Sequence, residues 1–159
     1  MLGVQTVFIE MTMPLPHIES GHCNVNLTPS PIEPSWIIEG NPEARSYLLS
    51  ASADGAATTL IWSCTAGKFN WYYDVDETTV ILEGSIVLES DGMPPKRYGV
   101  GDVILFRSGA RAKWYVEDYV KKVAFLRQTN PLGFTFVVRA VNRLNQMLFR
   151  LSRGQLLRF

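Results

Sequence analysis

The sequence predicts an all-β fold, an antiparallel sandwich or barrel, on three observations. Short β-prone runs succeed one another from residue 46 onward: 47–52, 58–64, 68–73, 79–82, 86–89, 103–106, 113–116 and 120–126. Turn-forming pairs punctuate them, among them Asp54-Gly55, Ala66-Gly67, Glu83-Gly84, Asp91-Gly92, Gly101-Asp102 and Ser108-Gly109. No helical period intervenes before Asn130-Pro131. Many short strands at near-even spacing, joined by turns rather than helices, fit antiparallel architecture. A chain of 159 residues, 47% of them hydrophobic, is long enough to bury one core of this kind.

In chain order, residues 1–45 read as an N-terminal arm ending in an edge strand. The opening Met1–Glu10 has no base ahead of its apolar run, and Glu10 cuts that run short, so it makes a poor signal peptide. Pro14, Pro16, Pro29, Pro31, Pro34 and Pro42 fix their own φ and withhold amide donors, which keeps the arm off the middle of a sheet. Its apolar patch, Ser35-Trp36-Ile37-Ile38-Glu39-Gly40, reads as an edge strand or an anchor.

Residues 46–128 read as the β-structure itself, organised around Gly67–Gly84. Side chains alternate along an extended strand, so Trp71 and Tyr73 point the same way. In a barrel they, and Glu77 beyond them, aim into the interior.

Residues 129–159 read as a basic amphipathic helix, with its helical span at about 132–153. Val137, Val141, Leu144, Leu148 and Leu151 recur at helical spacing, while Arg139, Arg143, Gln146, Arg150 and Arg153 share another side. Pro131 suits the first turn and Gly154 the end.

Fifteen bases balance fifteen acids, but unevenly. Every acid lies at or before Asp118, against seven bases there, a formal −8; the eight remaining bases follow with no acid among them. Such a tail suits an acidic partner, an anionic membrane surface or the acidic body of its own fold. Docking on the body is the preferred expectation, since packing stabilises short helices; peripheral membrane contact through 132–153 is the other. No nucleic-acid-binding motif accompanies the arginines. No apolar run approaches the ~18 residues of a spanning helix. Cys23 and Cys64 make no disulfide framework, and a reducing, cytoplasmic location is expected.

Trp62-Ser63-Cys64-Thr65-Ala66-Gly67, Phe69-x-Trp71-x-Tyr73, Asp76-Glu77, Leu82-Glu83-Gly84, Gly101-Asp102, Ser108-Gly109 and Trp114 form an ordered set over residues 34–127. It resembles the small single-domain cupins related to ureidoglycine aminohydrolase, a group often classed as a domain of unknown function. The resemblance implies a cupin (RmlC-like) jelly-roll β-barrel and a homodimer. Metal-binding cupins place His-x-His, an acid four residues on and a glycine seven residues later, then Gly, Pro, Gly and a third His. Glu77 and Gly84 keep that spacing, but Trp71 and Tyr73 hold the His positions, Arg107 stands for the Pro, and Ala112 for the last His. Indole offers only an N–H donor and phenol titrates near 10, so neither replaces imidazole as a metal ligand. No metal and no other cofactor is therefore expected, and aminohydrolase activity does not carry over directly.

The candidate catalytic residues are Glu77, as general acid or base, and Tyr73, as a hydrogen-bond donor to a bound carbonyl. The plain alternatives are a Glu77 paired with Arg107 or Arg111 and a Tyr73 satisfied in the core. Trp62, Trp71 and Trp114 are candidate ligand-binding residues lining a flat pocket, or simply large side chains filling a small barrel. Arg107 is a candidate clamp for a carboxylate, alone or with Arg111. Asp74 and Asp76 read as turn formers, Cys64 as a small hydrophobe, and His17 and His22 lack metal-binding partners. The expected function is binding of a small polar metabolite in the barrel, with metal-independent chemistry at Glu77. The alternative is a non-catalytic dimeric scaffold that presents the basic helix.

Overall fold

Long strands bent at glycine-bearing bulges set the architecture of the computed structural model, which describes residues 18–128 and residue 143. Residues 1–17 and, apart from residue 143, the helix expected over 132–153 lie outside the described residues. The described chain is antiparallel β-structure of eight strands: β1 (Thr28–Pro29), β2 (Ile37–Gly40), β3 (Ala44–Ala51), β4 (Ala57–Tyr72), β5 (Asp76–Ser90), β6 (Met93–Gly99), β7 (Val103–Phe106) and β8 (Arg111–Arg127). They connect in the order β1-β3-β4-β8-β5-β6, with β2 added to β4 and β7 to β5.

Three pairs of expected short strands are in fact three long ones. Strand β4 runs 16 residues through Ala66-Gly67, β5 runs 15 through Glu83-Gly84, and β8 runs 17 through Glu117-Asp118. The turn-like pairs do not end these strands but kink them. Register slips between Thr65 and Gly67 in β4, and between Ile81 and Val87 in β5, both against β8. A bulge bends a strand and raises its twist, so one long strand serves two halves of a barrel. The front halves of β4 and β5 and the back half of β8 join β3 and β7. The back halves of β4 and β5 and the front half of β8 join β2 and β6.

Gly84 is where this bending demands glycine. It takes φ +69°, and a Cβ there would land on the Tyr119 carbonyl oxygen. Strand β6 is absent from the expected runs and contains Pro94-Pro95; among the described residues it pairs only with β5, at the sheet edge where proline is tolerated.

The arm keeps to the edges. Thr28–Pro29 pairs with β3, and Pro34–Trp36 forms a 3-10 turn leading into β2. It is not all surface, however: Ile32 is buried in the core, and the Trp36 ring meets Trp71 at 5.5 Å and Tyr72 at 5.1 Å between centroids. Among the described residues no helix is long and apolar enough to cross a membrane.

Candidate functional site

Register decides which side chains share the barrel interior, since residues opposite one another on paired strands face the same side. Trp62 on β4 stands opposite Lys122 on β8, which stands opposite Ile81 on β5. Phe69 on β4, Trp114 on β8 and Leu88 on β5 form a second inward row. Glu77, near the start of β5, lies between Phe106 on β7 and Leu126 on β8. The pattern therefore brings a lysine, unforeseen in the sequence, into the apolar core beside Glu77.

Glu77 is 6% exposed and Lys122 4%. Lys122 Nζ donates to Glu77 Oε1 at 2.5 Å, and Thr79 Oγ1 donates to the same oxygen at 2.7 Å. The ammonium also lies 4.7 Å from the Trp114 ring centre and 5.0 Å from that of Trp62. Two indole faces thus supply part of the solvation that burial removes from the cation. The partner of Glu77 is Lys122, not Arg107 or Arg111; both arginines are exposed. Alternation around Val120, whose side chain is fully buried, was the available signal: Lys122 shares its side of β8.

Tyr73, just past the end of β4, is 4% exposed and stacks on Phe106 with 4.2 Å between ring centres. Its hydroxyl accepts the Trp114 indole N–H at 3.2 Å. Burial pushes its phenol well above the usual range near 10, the charge of Glu77 adds to this, and the bond from Trp114 opposes it. Tyr73 is thus a neutral hydroxyl and never a base at ordinary pH. The loop after β7 is tied to it: Tyr73 N donates to Ala110 O, and Gly109 N to Tyr73 O. Asp76 and Asp74 serve this loop too, accepting from Ser108 N at 2.9 Å and Ser108 Oγ at 2.8 Å respectively. Cys64 is buried, and burial, partly offset by the Lys122 charge, raises its thiol to about 12, which leaves it unreactive.

Trp62 and Trp114 are packed edge to face, 5.7 Å between centres, and their exposure is 5% and 1%. Both are spent on Lys122 and the core. Trp71 is half-buried and borders a cavity of about 250 Å³ with Arg111, Glu89 and Asp91. A larger cleft of about 550 Å³ opens at the barrel mouth between β6, β7 and the start of β8. Its floor includes Leu88, Phe106 and Ala112, and Arg107 stands on its wall. Phe106 lines this cleft, and its ring stacks on Tyr73. The structure therefore brings Glu77, Tyr73, Trp62 and Trp114 together in the core, packs the half-buried Trp71 against Trp62 at 5.9 Å between ring centres, and leaves Arg107 outside that group. Among the described residues no cluster of three or more His, Cys, Asp or Glu side chains has metal-binding geometry. At Glu77, the one retained acid of the family's metal motif already faces an ammonium.

An antiparallel barrel of bent strands, with an acid and a glycine at motif spacing and aromatic rings inside, defines a cupin-type protein. A family model described as the EutQ-like cupin domain matches residues 51–124. This match, with the likeness to solved structures, supports the cupin superfamily. It is similar to a protein of the DUF861 family from Pseudomonas syringae pv. tomato, at 26% identity over 66% of this chain and with a TM-score of 0.61. The chain spans only 46% of that protein's length. A cupin-like protein from Thermotoga maritima, 12% identical over 64% of this chain and 80% of its own, shares the fold at a TM-score of 0.52. A DUF861 family protein from Thermotoga maritima is 34% identical over 40% of this chain and 73% of its own, with a TM-score of 0.38. No curated protein matches the sequence.

Proposed function

We propose that this cupin-domain protein binds a small metabolite at the mouth of its barrel and does so without a metal ion. The observation that carries this is the cleft of about 550 Å³ that ends on Phe106 and Ala112, in the size range of ligand pockets. Absence of metal is supported by chemistry: the retained acid Glu77 is engaged by Lys122, and the adjoining volume is taken by indole. Filling the cleft tests the proposal. Thermal-shift screening against polar metabolites should find compounds that raise the Tm of the wild type but not of Ala110→Trp, whose new ring occupies the cleft. Absence of any stabilising compound, or equal shifts in the variant, overturns it.

Acid–base chemistry at Glu77, with Tyr73 as a hydrogen-bond donor, is the enzymatic form of the same proposal, in which the stacked Tyr73 and Phe106 rings swing aside to admit the ligand. Their shared burial around one charged pair favours it. Unchanged turnover of a bound metabolite in Glu77→Gln would sink it. Kinship with ureidoglycine aminohydrolase relatives rests on the motif residues alone. The lost histidines argue for a different reaction. What supports a homodimer is the exposure of large apolar side chains, Tyr47, Val103, Leu105 and Phe125 at 43–64%, of which Val103 and Leu105 also border the cleft. The two free thiols, Cys23 and Cys64, support a reducing, cytoplasmic setting.

A further inference from the structure

The cleft at the barrel mouth has a charge character that its apolar floor conceals. Three cations stand along it, Lys96, Arg107 and Arg111, and no acid does. The neighbouring cavity of about 250 Å³ differs, with Glu89 and Asp91 on its wall beside Arg111 and Lys113.

Ion pairing separates these three cations from those around them. Arg97, next to Lys96, pairs with Glu117, and Lys113, two residues from Arg111, pairs with Glu89 at 3.2 Å. Lys96, Arg107 and Arg111 have no carboxylate within salt-bridge distance among the described residues. Outside the described residues the sequence holds a single acidic side chain, Glu10.

The three are nonetheless positioned. Lys96 Nζ lies 4.9 Å from the Tyr98 ring centre, and the Arg111 guanidinium 5.8 Å from that of Tyr72. Stacking on a ring holds a cation in place and leaves its N–H donors to bond elsewhere. Arg107 opens a tight turn closed by its carbonyl accepting from Ala110 N at 2.9 Å, with Gly109 at φ +86°. Beneath the cations, Leu88, Phe106 and Ala112 are at most 7% exposed and offer only carbon.

We infer that this cleft binds a small organic anion, a carboxylate or phosphate ester carried on an apolar body. The oxyanion meets the Arg107 and Arg111 forks with Lys96 beside them, and the body lies on Phe106 and Leu88. Planar guanidinium groups suit such oxyanions because two parallel N–H donors match two oxygens. This rests on the cleft being the ligand site and adds the chemical class of the ligand.

Calorimetric titration of the full-length protein tests the inference with four probes of one apolar body: benzoate, phenyl phosphate, neutral benzamide and cationic benzylamine. Benzoate or phenyl phosphate should bind at least tenfold more tightly than benzamide, benzylamine should not bind, and added salt should weaken the anions selectively. The tighter of the two anions identifies the headgroup. Arg107→Gln and Arg111→Gln should each weaken anion binding about tenfold, as loss of a charge-assisted hydrogen bond does, while Arg45→Gln, on remote β3, should leave it unchanged. Benzamide binding as tightly as benzoate, blocked by Ala110→Trp, would overturn the anion assignment and keep the cleft as a ligand site. No binding by any probe, together with a failed metabolite screen, would overturn both.

Discussion

Lys122 holds a positive charge inside the barrel because three neighbours replace its water: the Glu77 carboxylate at 2.5 Å and the faces of Trp62 and Trp114. A buried pair of this kind is costly to break and of little net benefit to keep, since desolvation offsets much of the attraction. Lys122→Met, which strands Glu77, should therefore cost about 3–5 kcal/mol of stability, whereas Glu77→Met with Lys122→Met should recover most of that loss. Urea denaturation of both variants checks this; equal losses in the two would show that the pair matters through packing alone. Tyr73 makes a pH prediction. Its phenol is raised in the folded state, first by burial and then by Glu77. The folded protein thus holds that proton above pH ~10, where the unfolded chain gives it up. Stability from this group is complete below about pH 10 and falls as pH rises beyond it. Tyr73→Phe should show a shallower alkaline loss than the wild type in denaturation curves between pH 8 and 11. Parallel curves would contradict the assignment.

At the scale of elements, long bent strands do the work expected of pairs of short ones. Leu82-Glu83-Gly84 was legible as a turn signal and lies within a strand; what its glycine provides is a left-handed backbone and room for the Tyr119 carbonyl. Gly84→Ala should cost at least ~1–3 kcal/mol from backbone strain, measured as a fall in the unfolding midpoint. A neutral outcome would mean that β5 and β8 separate easily at their bulge. The same ambiguity hid β6. Its Pro94-Pro95 pair marks an edge, and edge position depends on which strands lie beside it, a property of the assembled sheet.

At the scale of the whole molecule, register gathers the exposed Val103, Leu105 and Phe125 on one outer face. Val103 and Val123 flank Val80, while Leu105 and Phe125 flank Thr78. Exposed apolar side chains gathered on one face mark an association surface. Light scattering of the wild type should give a dimer mass, and Val103→Glu with Leu105→Glu should give a folded monomer. A monomeric wild type, or a variant that stays dimeric, removes this face from the assembly.

The β-character, the kinship set from Trp62 to Trp114, the missing imidazoles and the placement of Glu77 inside were all determined by the sequence. They depend on residue type, alternation and spacing, which are local properties. Only the tertiary structure decided that Lys122 is the partner of Glu77, 45 residues away along the chain, and that Tyr73 stacks on Phe106, a residue of the cleft lining. It also decided that Lys96, on β6, joins Arg107 and Arg111, which flank a single turn, around one opening. The physical reason is register: bulges in β4, β5 and β8 choose which distant residues stand opposite one another, and no local pattern specifies where those slips fall.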